Sequence, residues 1–212
     1  MQSRDHIRAA YDAVAREYAE QFSDELAHKP MDRELLASLA AAVEPGGVVY
    51  ELGCGPGQTT AFLYASGVSV RGLDLSPELL EQARQRHPEI WFEAGDMLAL
   101  PLADGAAGGI VSFYSIVHFS ATQLRLALEE MHRVLAPGGR LLLAFHVGDE
   151  VVRVEQFLGR EVRLDFIFHR PAVIASELES IGFMEIEVVE RDSYPGVEYP
   201  SRRAYALTRK RA

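Results

Sequence analysis

Three groups of residues in this sequence have the types and spacing to do chemistry. Glycine recurs at every second position in Gly53-Cys54-Gly55-Pro56-Gly57, which lets the backbone take positive φ and lets a ligand approach the main chain with no Cβ in the way. An acid, Asp74, follows about 20 residues after the first of these glycines, the distance at which nucleotide-binding folds place the carboxylate that holds ribose hydroxyls. Two histidines, His118 and His146, end apolar runs. Each is a candidate general base for an acceptor's proton, because imidazole titrates near neutral pH, and each serves equally well as a structural hydrogen-bond partner. Cys54 lies inside the glycine loop with no histidine near it in sequence, so it reads as a small turn residue rather than a nucleophile.

These groups need strands and helices to hold them. Val48-Val-Tyr-Glu-Leu52 is a short apolar run ending at the glycines, the pattern of a buried parallel strand. A helix is expected over 58–65, a second strand over 69–74, and a helix from Ser76-Pro77 to about residue 86, with serine as its cap and proline at its first position. A third strand is expected over 90–94, followed by Gly95-Asp96-Met97, and a fourth over 109–114. A helix over 121–135 should stop at Pro137-Gly138-Gly139, and a fifth strand, apolar throughout and buried on both faces, should run over 140–146. Strands alternating with helices give an open parallel sheet, whose ligands sit outside the carboxyl ends of the strands. The spacing G-x-G-x-G is one residue short of the dinucleotide fingerprint.

Four stretches taken together, Glu51-Leu-Gly-Cys-Gly-Pro-Gly57, Gly72-Leu-Asp74-Leu-Ser76, Gly95-Asp96-Met97 and Arg133-Val-Leu-Ala-Pro-Gly-Gly139, resemble the class I S-adenosylmethionine-dependent methyltransferases over roughly residues 40–146. The resemblance implies an α/β, Rossmann-like, doubly wound and mostly parallel seven-stranded sheet with an antiparallel last strand and an N-terminal helical cap. It implies S-adenosylmethionine as cofactor and a small-molecule methyl acceptor, with transfer to oxygen, nitrogen or carbon left open. For the cofactor it implies Gly53, Cys54, Gly55 and Gly57 in the loop, Glu51 supporting the amino end, Asp74 with Leu75 beside it at the ribose, and Asp96 and Met97 at the adenine. Tyr11 and Tyr18 would close over the ligand, and Tyr114 would lie beside its reactive end. One departure is visible. Where most relatives carry an Asp, this chain has Gly109, so no helper role for that side chain is expected. The alternatives are an NAD-dependent oxidoreductase and an S-adenosylmethionine-binding protein without turnover.

Beyond that core, Ile7, Tyr11, Val14, Tyr18 and Phe22 form one stripe of an amphipathic helix over 3–22, and a second helix is expected over 31–43. The chain should form one domain: a helical cap over 1–44, a cofactor-binding core over 45–147, an inserted extended lid over 148–169, and a C-terminal helix and strand pair over 170–212. Within the insert, Val162, Leu164, Phe166 and Phe168 alternate with Arg163 and Asp165. A chain of 212 residues that is 48% hydrophobic supports one full α/β core. Its net charge of −10, with Lys and Arg scattered except in Arg209-Lys-Arg211, argues against a nucleic-acid partner. One cysteine excludes an internal disulfide, no Cys/His spacing suggests a metal, and no apolar run approaches membrane-spanning length. A cytoplasmic monomer or homodimer is the expectation.

Overall fold

The computed structural model describes residues 2–212. Helix α1 (Arg4–Phe22) starts at Ser3, whose side chain accepts from the His6 amide at 3.2 Å. A 3-10 turn, Glu25–His28, leads into α2 (Pro30–Ala42), which has proline at its first turn as helices prefer. Then β1 (Val48–Leu52), α3 (Gln58–Ala65), β2 (Ser69–Asp74), α4 (Pro77–Arg86), β3 (Trp91–Ala94), β4 (Ala107–Phe113), α5 (Ala121–Val134) and β5 (Leu135–His146) build the core. A hairpin, β6 (Val151–Phe157) with β7 (Arg160–Ile167), precedes α6 (Pro171–Ile181), β8 (Phe183–Arg191) and β9 (Arg203–Lys210).

Seven strands form one sheet in the order β3-β2-β1-β4-β5-β9-β8, parallel except that β9 runs antiparallel to both neighbours. The hydrophobic pattern explains the layers. Along β5, Leu141, Leu143 and Phe145 join one core cluster with α5 and α6, while Leu142 and Ala144 join the other with α2, α3 and α4. A strand covered on both faces must be apolar at every position, and 141–145 are all fully buried. The order in which strands are added reverses between β1 and β4, and the crevice at their carboxyl ends is where such sheets bind ligands.

One detail differs from the sequence expectation. Strand β5 begins at Leu135, which pairs with Ala107; a register shift between Ala107 and Gly109, with Gly138 at φ +76°, absorbs Pro137-Gly138-Gly139 as a bulge inside the strand pair. Gly108 and Gly109 also acquire a structural reason. A Cβ on Gly108 would stand 2.9 Å from Gly47 Cα and one on Gly109 3.1 Å from Val43 Cγ2, so the turn before β1 lies directly on β4 and an aspartate there has no room.

Helix α1 lies over the sheet's carboxyl edge, tied at three places. Asp12 accepts from Ser76 Oγ at 2.5 Å at the cap of α4, Glu17 pairs with Arg160 at 2.6 Å, and His6 Nε2 donates to the Arg163 carbonyl at 2.6 Å. The hairpin's strands pair only with each other, apart from the main sheet. Among the described residues, no helix is long and apolar enough to cross a membrane, and no three His, Cys, Asp or Glu side chains converge as a metal site.

Candidate active site

Strand ends build the first cavity. Leu52, Gly53 and Gly55 come from β1 and its loop, Asp74 and Leu75 from β2, Asp96 and Met97 from the turn after β3, Tyr114 and His118 from beyond β4; α1 adds Arg4, Tyr11 and Tyr18. Asp74 is the hinge of this cleft. Its Oδ2 accepts from the Gly55 amide and its Oδ1 from the Ser76 amide, both at 2.8 Å, so one carboxylate fixes the glycine loop to the cap of α4. Burial raises its pKa against these amide bonds. A carboxylate has about four lone-pair sites, which leaves two for a diol. At the outer end, Asp96 accepts from the Leu98 amide at 2.9 Å and forms an ion pair with Arg4, which latches α1 over the cleft.

Gly55 sits at φ +53°, and a Cβ there would meet only Tyr18 Cε1, at 3.8 Å. A Cβ would therefore just touch the Tyr18 ring, which faces the loop across a gap that a side chain would fill. Gly53, at φ +73°, differs: its Cβ would collide with Ser115 Cβ, so that glycine is required by the fold itself. Gly57 caps α3 at φ +88°, with Phe92 Cζ 2.8 Å from where a Cβ would stand, and it does not line the cleft as the sequence suggested.

A second, polar cavity opens on the far side of Gly55, bounded by Glu51, Cys54 and Gln58. Glu51 is buried, accepts from Thr60 Oγ1, and has its pKa pushed up to about 8 by burial, with Asp74 adding to the rise. Gln58 Oε1 is buried there with no hydrogen-bond partner among the described residues. Two acceptors, one of them unpaired, suit a cationic amine. Burial also pushes the Cys54 thiol up, which keeps it an inert thiol.

The third cavity, about 310 Å³, lies under α1 and the hairpin, and its wall is largely aromatic: Tyr11, Tyr18, Phe22, Tyr114, Phe157, Phe166, Phe168 and Tyr199. Its other end is polar, with Lys29, Glu198, Arg203 and His146. Tyr18 and Tyr114 line all three cavities, so the three meet between those two rings. Tyr114 is held at φ +53°, a strained conformation for a tyrosine, by hydrogen bonds of its hydroxyl to Tyr205 at 3.0 Å and Asp32 at 3.3 Å.

The two histidines part ways. His118 Nδ1 donates to the Asp165 carbonyl at 2.8 Å, which leaves Nε2 as an acceptor for the Tyr11 hydroxyl at 2.9 Å. Burial lowers its pKa, so it rests neutral and ready to take a proton. Tyr11 lines both the cleft and the aromatic cavity. Burial raises its pKa, which keeps it a phenol. His146 Nδ1 faces the Ser201 hydroxyl at 2.7 Å and Arg203 Nη1 at 3.0 Å; a hydroxyl can donate and a guanidinium only donates, so Nδ1 is the acceptor and Nε2 carries the hydrogen. Burial and Arg203 press its pKa down to about 3. His146 is therefore a donor, not the base that its strand-end position suggested. His169 is buried against the Ile116 carbonyl at 3.3 Å and takes no part.

Sequence reasoning missed Lys29, Gln58, Phe157 and Arg203, along with Arg4 and Asp12 as latches. Only Asp12 left a local sign, beside Tyr11 on a helix whose stripe had to face the sheet.

The residues fit the implied cofactor. A cradle beside Gly55 that a side chain would fill, two free lone-pair sites on Asp74 and the paired acceptors Glu51 and Gln58 match the requirements of a sulfonium-linked nucleoside with a cationic amino acid tail. One consequence is measurable. Glu51, protonated below about pH 8 in the free protein, must ionise opposite an ammonium, so cofactor binding should release up to about one proton near pH 6.5 and tighten as pH rises towards 8. Calorimetry in buffers of different ionisation enthalpy reads this directly. Glu51→Gln should abolish the buffer dependence, and a wild-type enthalpy equal in all buffers would show that Glu51 faces something else.

The chain matches the model of the family described as a methyltransferase domain over residues 49–139. It is 30% identical over 198 residues to the O-methyltransferase cnsE of Penicillium expansum, covering 87% of this chain and 67% of that one. It is 32% identical over 140 residues to a demethylmenaquinone methyltransferase of Beutenbergia cavernae, covering 65% of this chain and 57% of the relative. The chain spans about half to two thirds of the length of the curated relatives it matches. Among solved structures, a Haemonchus contortus phosphoethanolamine N-methyltransferase 2 in complex with S-adenosyl-L-methionine aligns over 100% of this chain and 61% of its own, with a TM-score of 0.74 at 15% identity. That likeness concerns the fold.

Proposed function

Because the chain belongs to the class I S-adenosylmethionine-dependent methyltransferases, we propose that it transfers the cofactor's methyl group to an oxygen of a small, mostly apolar acceptor held in the aromatic cavity. The oxidoreductase alternative is not favoured by this membership. The observation that carries the reading is Tyr11, which lines both cavities and whose hydroxyl is bonded to a neutral histidine. A neutral amine can attack through its lone pair and shed its proton afterwards, whereas a hydroxyl must lose its proton as it reacts. A relative named an O-methyltransferase supports the same choice.

S-adenosylmethionine supplies an activated methyl on a sulfonium, so the protein's task is alignment, dryness and one proton. Gly55, Asp74, Asp96 and Met97 hold and orient the nucleoside, and Glu51 with Gln58 holds the tail. The rings of Tyr18 and Tyr114 flank the junction of the cavities. Tyr11 receives the acceptor's proton as its own passes to His118 Nε2, and the Asp165 carbonyl on Nδ1 stabilises the imidazolium that results. Phe157 and Phe166 keep water from the site. Incubation with a phenol, an arylamine and an active-methylene compound of similar size, followed by mass spectrometry, tests the proposal: O-methyl product is expected, and N- or C-methyl product alone would overturn it.

Residues 1–44 form the cap and the β6–β7 hairpin the lid of one catalytic domain in this reading. Hydrogen exchange checks it: S-adenosylhomocysteine should protect α1 together with residues 53–57, and Arg4→Ala, which removes the latch to Asp96, should weaken the protection of α1 first. Protection confined to the loop would show that α1 is not a lid.

A further inference from the structure

Behind the aromatic cavity lies a buried cluster of three cations and three carboxylates. Arg191 binds both Glu198 oxygens, at 2.6 and 2.9 Å, and Asp32 at 2.8 Å. Lys29 pairs with Glu25 at 2.7 Å and approaches Glu198 at 3.4 Å. Arg203, 3% exposed, gives Nη1 to the Ser201 carbonyl at 2.8 Å and to His146, and Nη2 to the Tyr199 carbonyl at 2.9 Å. Its Nε has no hydrogen-bond acceptor: the Glu198 oxygen 3.5 Å away is out of line for one. The charges balance, yet a donor is left over.

Next to it on the cavity wall, the His146 ring is stacked on Phe168 at 4.8 Å and 11°, and its Nε2–H has no partner among the described residues. One unpaired donor, His146 Nε2–H, therefore stands at one end of an apolar box, with the Arg203 guanidinium buried behind it. Buried donors left unsatisfied cost free energy, and an oxygen acceptor on a ligand removes the cost. A cationic ligand, which an aromatic cage otherwise favours, finds no such welcome. Both carboxylates on the wall are engaged by Arg191 and Lys29, and the Tyr114 face already carries Lys29 at 5.2 Å and Arg203 at 5.5 Å.

We propose that this end of the cavity is an anchoring subsite for an oxygen acceptor, so that the methyl acceptor is a flat apolar molecule bearing a carbonyl or carboxylate group received by His146 Nε2, with the buried Arg203 guanidinium behind it. The inference rests on the reading of the aromatic cavity as the acceptor's site. It also explains a buried arginine whose hydrogen bonds hold the 199–201 segment against the cavity.

Calorimetry of four naphthalenes with enzyme loaded with S-adenosylhomocysteine tests the subsite, since the four share one apolar body. The ketone 2-acetonaphthone and the acid 2-naphthoate should bind about tenfold or more tighter than 2-ethylnaphthalene, the magnitude of one buried donor satisfied; which of the two leads tells a carbonyl from a carboxylate. The ammonium of 2-naphthylmethylamine should bring no advantage. His146→Phe preserves the stacked ring and removes Nε2–H, and Arg203→Met removes the guanidinium; each should shrink the advantage of the oxygen-bearing probes. Should Arg203→Met fail to fold, the wild-type series and His146→Phe still decide. Equal binding of all four, tightest binding of the amine, or an advantage intact in His146→Phe would overturn the subsite while leaving methyl transfer untouched. No binding of any probe, with S-adenosylhomocysteine still bound, would overturn the assignment of the cavity and the subsite with it.

Discussion

Gly55→Val should give a folded protein that no longer binds S-adenosylmethionine. The new Cβ points towards Tyr18, whose nearest atom is 3.8 Å away, so nothing in the protein is displaced. The positive φ at this position costs a β-branched residue about 1–3 kcal/mol, which a domain with typical stability of about 5–15 kcal/mol survives. The isopropyl group, however, occupies the space between the loop and the ring, where the cofactor must pass. Affinity should fall at least about 100-fold, or roughly 2.7 kcal/mol. Gly53→Ala is the contrasting control, because its Cβ collides with Ser115, whose hydroxyl donates to the Leu52 carbonyl at 2.9 Å and holds the end of β1. That variant should lose both melting temperature and binding. Thermal denaturation beside calorimetry separates the two, and a Gly55→Val protein that binds normally would place the cofactor elsewhere.

Tyr11→Phe should lower kcat by about 100- to 10,000-fold while leaving cofactor affinity within about twofold. The ring stays, edge-on to Tyr18 at 5.9 Å and to His118 at 5.5 Å, and only the proton path is cut. His118→Leu should show a loss of the same size, and the double variant little more, since the two act as one unit. The pH profile carries an independent sign. Burial holds the pKa of His118 below its usual value of about 6.5, so the neutral base is present above that pH and is lost as the solution is acidified through the lowered pKa. The wild-type rate should therefore stay level to below pH 6.5 and then fall, and the acid limb should disappear in Tyr11→Phe. Full kcat in Tyr11→Phe would end the relay.

What the sequence made legible was whatever is local. The glycine loop, Asp74 and Gly95-Asp96-Met97 each follow a strand at short range, and the structure places them on one crevice because parallel strands end on one edge. Burial on both faces was likewise readable from the unbroken apolar run in β5. Long-range pairing was not. The Asp32–Arg191 bond joins residues 159 apart, and the fate of His146 is set by Arg203, 57 residues on, so no spacing announces either. The alternation of Val162 to Phe168 was visible, but its partner strand β6 has no fully buried position and only a short alternation, Val152 and Val154 with Arg153 and Glu155. Gly57 misled for the opposite reason: it continues the loop's spacing while its positive φ serves only the cap of α3.

The isolation of the β6–β7 hairpin has a consequence for how this scaffold can diversify. Phe157 and Phe166 reach the aromatic cavity from strands that share no ladder with the seven-stranded sheet. Residues there can be exchanged, lengthened or shortened without disturbing the register of any strand that carries the nucleoside's contacts, because register errors propagate only through paired strands. The hairpin thus behaves as a cassette. Grafting another such hairpin between residues 150 and 168 would be expected to change which molecules are accepted and to leave the strand-borne cofactor contacts in place, provided that it restores the ties of Arg160 and Arg163 to α1 and of the Asp165 carbonyl to His118.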